Sequence, residues 1–145
     1  GSALFLTPGE GSKENELWHD DYETAVAEAR SSGRPLFIDF TGYTCTNCRW
    51  MESNIFTLPA VRQLFREYVL VRLYTDGGEE EHERNQQFER DEFGTIALPF
   101  YAVMGPDGSK LATFPGLTRD EEEFVEFLRK GLEGWSMASS SRTEN

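Results

Sequence analysis

Apolar and polar positions recur at two different periods along this chain, and the switches between them outline its elements. Tyr22, Ala25, Val26 and Ala29 share one helical face, which predicts a helix from about Asp21 to Ser31. Asp20 and Glu23 have capping-box spacing at its start, and Gly33 closes it. Pro35-Leu-Phe-Ile-Asp-Phe-Thr41 is a nearly unbroken apolar run, as a central strand covered on both faces requires. A helix from about Cys45 to Asn54 follows, and a second starts at Pro59 and runs to Glu67, with Val61, Leu64, Phe65 and Tyr68 inward. Tyr68 to Tyr74 is another buried strand, broken by Gly77-Gly78. Glu79 to Phe93 reads as a polar helix anchored by Phe88. Phe100 to Met104 is a third strand, and the turn Gly105-Pro-Asp-Gly108 folds the next, Lys110 to Phe114, back as a hairpin. A last amphipathic helix spans about Arg119–Gly131, with Phe124, Phe127, Leu128 and Leu132 inward.

Strand–helix–strand crossovers, then a hairpin and a closing helix, predict an α/β fold: a mixed sheet of four to five strands with helices on both faces. The fifth strand is a short edge near Glu16–Trp18. The boundaries expected are a flexible lead over 1–15, one domain over 16–136 and a disordered tail over 137–145. Gly1-Ser2 reads as the scar of a cleaved expression tag.

At 145 residues the chain is long enough to fold around one core without a disulfide or metal staple. Eleven Phe, spread along the chain, supply much of that core. The formal charge of −12 argues against nucleic-acid binding and against docking on anionic lipid. The acidic runs Glu79–Glu83 and Asp120–Glu123 read as solvated helix starts, where carboxylates complement the dipole. No stretch approaches the roughly 20 apolar residues that span a bilayer, so direct membrane insertion of this segment is not expected.

The two cysteines stand together as Cys45-Thr-Asn-Cys48, directly after a buried strand and at the start of a helix. This is the redox arrangement. Unpaired N–H groups and the positive dipole end at a helix N-terminus favour thiolate over thiol. Cys45 is then the attacking nucleophile, and Cys48, a turn further in, the resolving thiol. A small structural disulfide, two inert thiols and a zinc site are the alternatives. Zinc is short of ligands, since there is no second cysteine pair and His19 and His82 lie far off in sequence. No metal and no cofactor beyond the cysteine pair is expected. Both histidines read as surface residues, and Trp18 and Trp50 as packing groups.

Three further positions bear on this chemistry. Asp39, six residues before Cys45 in an apolar strand, is expected to be buried, with its pKa raised by desolvation and placed to accept the Cys48 proton. Glu52, one turn after Cys48, either adds charge near the thiols or relays protons, or is an ordinary exposed helix residue. Leu98-Pro99 leads the third strand; a cis peptide there would set the Leu98 backbone beside the cysteines to pair with an extended substrate, while a trans Pro starting a strand is the plain alternative.

Strand, C-x-x-C helix and strand-leading Pro, in this order over about residues 16–133, resemble the thioredoxin superfamily and its three-layer sandwich. The segment from Phe37 to Phe56 is most similar to the C-terminal periplasmic domain of the DsbD family of thiol:disulfide interchange proteins. That family carries acidic residues at the positions of Asp39 and Glu52, and the resemblance implies cis geometry at Pro99. Thr44 joins Leu98 and Pro99 as an expected substrate contact. Thioredoxin itself has Trp at that position and Gly-Pro between the cysteines, where this chain has Thr46-Asn47. The resemblance implies a domain excised from a longer membrane protein, one that takes electrons from an upstream donor and passes them to proteins bearing disulfides. It implies a periplasmic or otherwise extracytoplasmic setting, with a free-standing secreted relative or a cytoplasmic reductant as other placements, and action as a monomer. A thioredoxin-fold binding or chaperone module is the reading outside redox chemistry.

Overall fold

A computed structural model describes residues 17–144, with side chains to 140. The expected lead over 1–15 lies outside the described residues. The elements in chain order are β1 (Trp18–His19), α1 (Tyr22–Ser32), β2 (Leu36–Thr41), α2 (Thr46–Asn54), α3 (Pro59–Phe65), β3 (Val69–Tyr74), α4 (Glu80–Phe93), β4 (Phe100–Met104), β5 (Lys110–Pro115) and α5 (Glu121–Glu144). The five strands form one sheet in the order β1-β3-β2-β4-β5. β1 and β2 flank β3 in parallel, and β4 and β5 run antiparallel.

Every residue of β2 is buried, because β2 lies at the centre of the sheet between two helical layers. Its pleat divides it: Phe37 belongs to the cluster with α2, α3 and α5, while Leu36, Ile38 and Phe40 belong to the cluster with α1 and α4. The phenylalanines scattered in sequence converge here. Phe37 meets Phe56, Phe65, Phe124 and Phe127 at ring-centroid distances of 4.9–6.3 Å.

Local chemistry sets the helix ends. The cap of α1 is Asp21 rather than Asp20: its side chain accepts from the Thr24 N–H at 2.9 Å. Gly33 closes that helix at φ 71°, where a side chain would be strained.

The largest departure from the sequence pattern is α5. It does not stop at Gly131, and the segment expected to be a disordered tail is helical through Glu144. Gly131 is a close approach, not a terminator: a Cβ there would sit 2.5 Å from the Tyr68 hydroxyl and 2.8 Å from Val103. Beyond it, the Trp135 indole N–H donates to the Gly33 carbonyl at 3.0 Å and ties the extended helix to the end of α1.

Candidate active site

The loop from Gly42 to Cys45 carries the chain out of β2 and into α2. Cys45 is the N-cap of α2, with extended backbone at φ −79° and ψ 105°. Its Sγ accepts from the Cys48 N–H at 3.1 Å, so the sulfur takes the part that a capping oxygen usually plays. Cys45 and Cys48 are joined as a disulfide with Cα atoms 5.2 Å apart. The two sulfurs are not equivalent: Cys45 is half-buried, whereas Cys48 is 1% exposed. An incoming reactant therefore meets Cys45 first. The N–H groups and dipole at a helix N-terminus favour negative charge at such a position.

The segment before β4 closes on this loop. The Leu98–Pro99 peptide is cis. Gly42 makes the approach possible: a Cβ there would lie 3.0 Å from Leu98 Cδ1 and 2.6 Å from Asp76 Oδ2. Leu98 is half-buried, Pro99 buried and Thr44 exposed, so Leu98 and Thr44 retain accessible surface. The Pro99 carbonyl already accepts from the Gly116 N–H at 3.0 Å.

Beneath α2 lies a charged cluster. Asp39 is 1% exposed, and Arg72, its register partner on β3, donates from Nε to Asp39 Oδ2 at 2.9 Å. Burial pushes the Asp39 carboxyl above its ordinary value, with Arg72 opposing the rise. Its other oxygen, Oδ1, is buried without a hydrogen-bond partner among the described residues. Glu52 is half-buried rather than fully exposed; Arg49 lies 3.0 Å and Arg72 3.9 Å from its Oε2. Burial raises its pKa first and the Asp39 charge adds to the rise, while both arginines lower it. Arg49 also donates to Thr41 Oγ1 at 2.8 Å and to the Gly42 carbonyl at 3.2 Å, bracing the strand end from which the cysteine loop departs.

Asp39 and Glu52 are thus drawn together through Arg72, which the sequence pattern alone did not single out. The signal was present: Arg72 is the lone charge in Val-Leu-Val-Arg-Leu, as Asp39 is the lone charge in its strand. His82 needs correction, since it is buried, not a surface residue. Its Nδ1 accepts from the Glu79 N–H at 3.1 Å, and its Nε2 lies 3.3 Å from the Tyr43 hydroxyl. His19 is half-buried, with Nε2 2.9 Å from Glu28. Trp18 and Trp50 do pack, each under a guanidinium: Arg72 lies 4.0 Å from the Trp18 ring and Arg119 4.9 Å from that of Trp50. Among the described residues no three His, Cys, Asp or Glu are grouped to hold a metal ion.

A mixed sheet with a C-x-x-C pair at the mouth of its central strand, the outer sulfur capping a helix and the inner one buried, defines a thiol–disulfide oxidoreductase of the thioredoxin type. The thioredoxin-like family model matches residues 17–106, and the chain belongs to that family. It is 31% identical over 106 residues to thiol:disulfide interchange protein DsbD 1 of Pseudomonas aeruginosa, covering 72% of this chain and 17% of that protein. The chain therefore spans about one sixth of that relative's length.

Solved structures share the fold. The C-terminal domain of Neisseria meningitidis DsbD in its reduced form superposes with a TM-score of 0.62 at 22% identity, over 75% of this chain and 92% of that one. A thioredoxin from Thermus thermophilus gives 0.65 at 23%, over 78% and 84%. No helix among the described residues is long and apolar enough to cross a membrane.

Proposed function

We propose that this domain works in the reducing direction, delivering two electrons from its Cys45–Cys48 dithiol to disulfides of partner proteins. The carrying observation is the inequality of the two sulfurs: one half-buried at a helix cap, the other closed off a turn further in. In the reduced domain the Cys45 thiolate attacks a partner disulfide, forming a mixed disulfide and releasing one partner sulfur as a thiolate, which takes a proton from solvent. Cys48 then gives its proton to Asp39 through the unengaged Oδ1 and attacks Cys45 Sγ. That step closes the Cys45–Cys48 bond and releases the second partner sulfur. The partner is reduced by two electrons, the domain is oxidised by two, and Asp39 later returns its proton to solvent.

Thr44 and Leu98, with the buried Pro99 fixing the Leu98 backbone, are the proposed surface on which the partner segment rests. The cycle needs no cofactor beyond the cysteine pair; an upstream dithiol protein restores the reduced state. Likeness to DsbD 1 supports an extracytoplasmic, periplasmic setting; a monomer is the oligomeric state proposed. A Cys48→Ser variant, incubated with an oxidised protein substrate, is expected to accumulate a Cys45-linked mixed disulfide seen on non-reducing gels and by mass spectrometry. No trapped species, with wild-type turnover retained by Cys45→Ser, would overturn the proposal.

A further inference from the structure

We propose that Arg119 is a specificity residue of the redox site: its guanidinium receives a carboxylate that the partner protein carries beside its disulfide. The inference rests on reading Cys45 and Cys48 as a pair that reduces partner disulfides, and it adds the chemistry of the partner segment.

The loop after β5 is fixed against the site before it presents this charge. The Gly116 N–H donates to the Pro99 carbonyl at 3.0 Å, which ties the loop to the cis peptide. Thr118 is buried, and its hydroxyl donates to Glu123 Oε1 at 2.6 Å and accepts from the Asp120 N–H at 3.1 Å. Leu117 and Arg119, on either side of Thr118, are exposed. The Arg119 guanidinium carbon lies 4.9 Å from the centre of the Trp50 ring. Trp50 belongs to α2, about 7.5 Å along the axis from the cap at Cys45. The stack therefore bridges the helix that Cys45 caps and the loop that Pro99 holds.

The charge is left for a partner. Among the described residues Arg119 pairs with no carboxylate. The acids next to it are engaged elsewhere: Asp120 Oδ1 accepts from the Glu122 N–H at 3.0 Å, and Glu123 takes the Thr118 hydroxyl. Arg72 and Arg49, by contrast, are already occupied by Asp39 and Glu52. Stacking on Trp50 holds the guanidinium in advance, so a carboxylate contact costs less side-chain freedom to form.

The strand order gives the rim of the site two signs. β3 and β4 lie on opposite sides of β2. The loop after β3 brings Asp76 onto the Tyr43 N–H, and α4 opens with Glu80, Glu81 and Glu83. Arg119 follows β5, on the other side. A partner carboxylate is repelled on the first flank and attracted on the second, which sets the way the segment lies across Cys45.

The test uses three peptides, each closed by one internal disulfide and identical except that the residues flanking the first cysteine are Asp, Asn or Lys. Second-order rates of their reduction by the reduced protein are measured at about 0.1 M ionic strength, where the field of the net charge of −12 is screened beyond about 10 Å. The ratio of the Asp to the Asn rate is expected to fall about fivefold in Arg119→Gln. Arg119→Glu is expected to lower it further and to raise the ratio of the Lys to the Asn rate. A merely structural loss would slow all three peptides together and leave the ratios where they were. An Asp-to-Asn ratio that is the same in wild type and Arg119→Gln, or that Arg119→Glu leaves unmoved, would overturn the assignment. Wild-type protein that reduces none of the three peptides would instead overturn the functional reading beneath it.

Discussion

Tyr43 lies face to face with Tyr74, ring centroids 4.0 Å apart and planes 17° from parallel, two residues before the reactive cysteine. The Tyr43 N–H donates to Asp76 Oδ1 at 2.8 Å, so ring and backbone both pin the loop to the end of β3. Yet Tyr43 remains 54% exposed, which leaves much of its surface facing solvent beside the site. Tyr43→Ala is expected to cost about 1 kcal/mol in urea unfolding, the worth of one aromatic pair. Tyr43→Phe keeps the stack and loses only the contact with His82, so its cost is expected to be under about 1 kcal/mol.

Asp39 allows stability and chemistry to be separated. Asp39→Ala leaves a half-buried guanidinium without its hydrogen-bonded partner, a loss of about 2 kcal/mol that denaturant midpoints would register. Asp39→Asn keeps the shape but cannot take a proton. It is expected to slow the second step of exchange by on the order of a hundredfold, so that rapid acid quenching finds mixed disulfide accumulating where wild type shows little. Unchanged partitioning between mixed disulfide and product would remove Asp39 from the proton path.

Glu89 on α4 is a distinct liability. It is 0% exposed, and neither carboxylate oxygen has a hydrogen-bond partner among the described residues. Burial pushes its pKa up to about 8 from an ordinary 4.5. A folded-state pKa above the unfolded value favours the protonated fold, so this contribution is fully present below about pH 4.5 and is lost as pH rises through about 8. Glu89→Gln is expected to change stability little at pH 5 and to raise it by about 4 kcal/mol at pH 8. Parallel pH dependences for wild type and variant in chemical denaturation would refute this.

Phe124 joins α5 to the sheet core. It is fully buried and touches the rings of Phe56, Tyr101, Phe114 and Phe127 at centroid distances of 5.5–5.7 Å. Phe124→Ala is expected to cost about 4 kcal/mol, measured by thermal or denaturant unfolding. Because none of these ring partners belongs to the Gly42–Cys45 loop, exchange by the variant below its melting range is expected to stay near wild type.

Whatever depends on near neighbours in the chain was written in the sequence. The period of the apolar residues marked the strands and helices, and β4 falls at Phe100–Met104 as the pattern predicts. Cys45 and Cys48 announced themselves because three residues and one helix start are enough to make the arrangement. What only tertiary structure decided are pairings across long stretches of chain: Arg72 with Asp39, His82 with Tyr43, Trp135 with Gly33. A glycine looks like a helix stop until Tyr68 and Val103 press against Gly131, and a polar histidine looks exposed until Tyr43 and the Glu79 N–H are brought to its ring. The physical reason is that periodicity reports which face of an element is apolar, while register and close approach decide which charges and polar atoms meet.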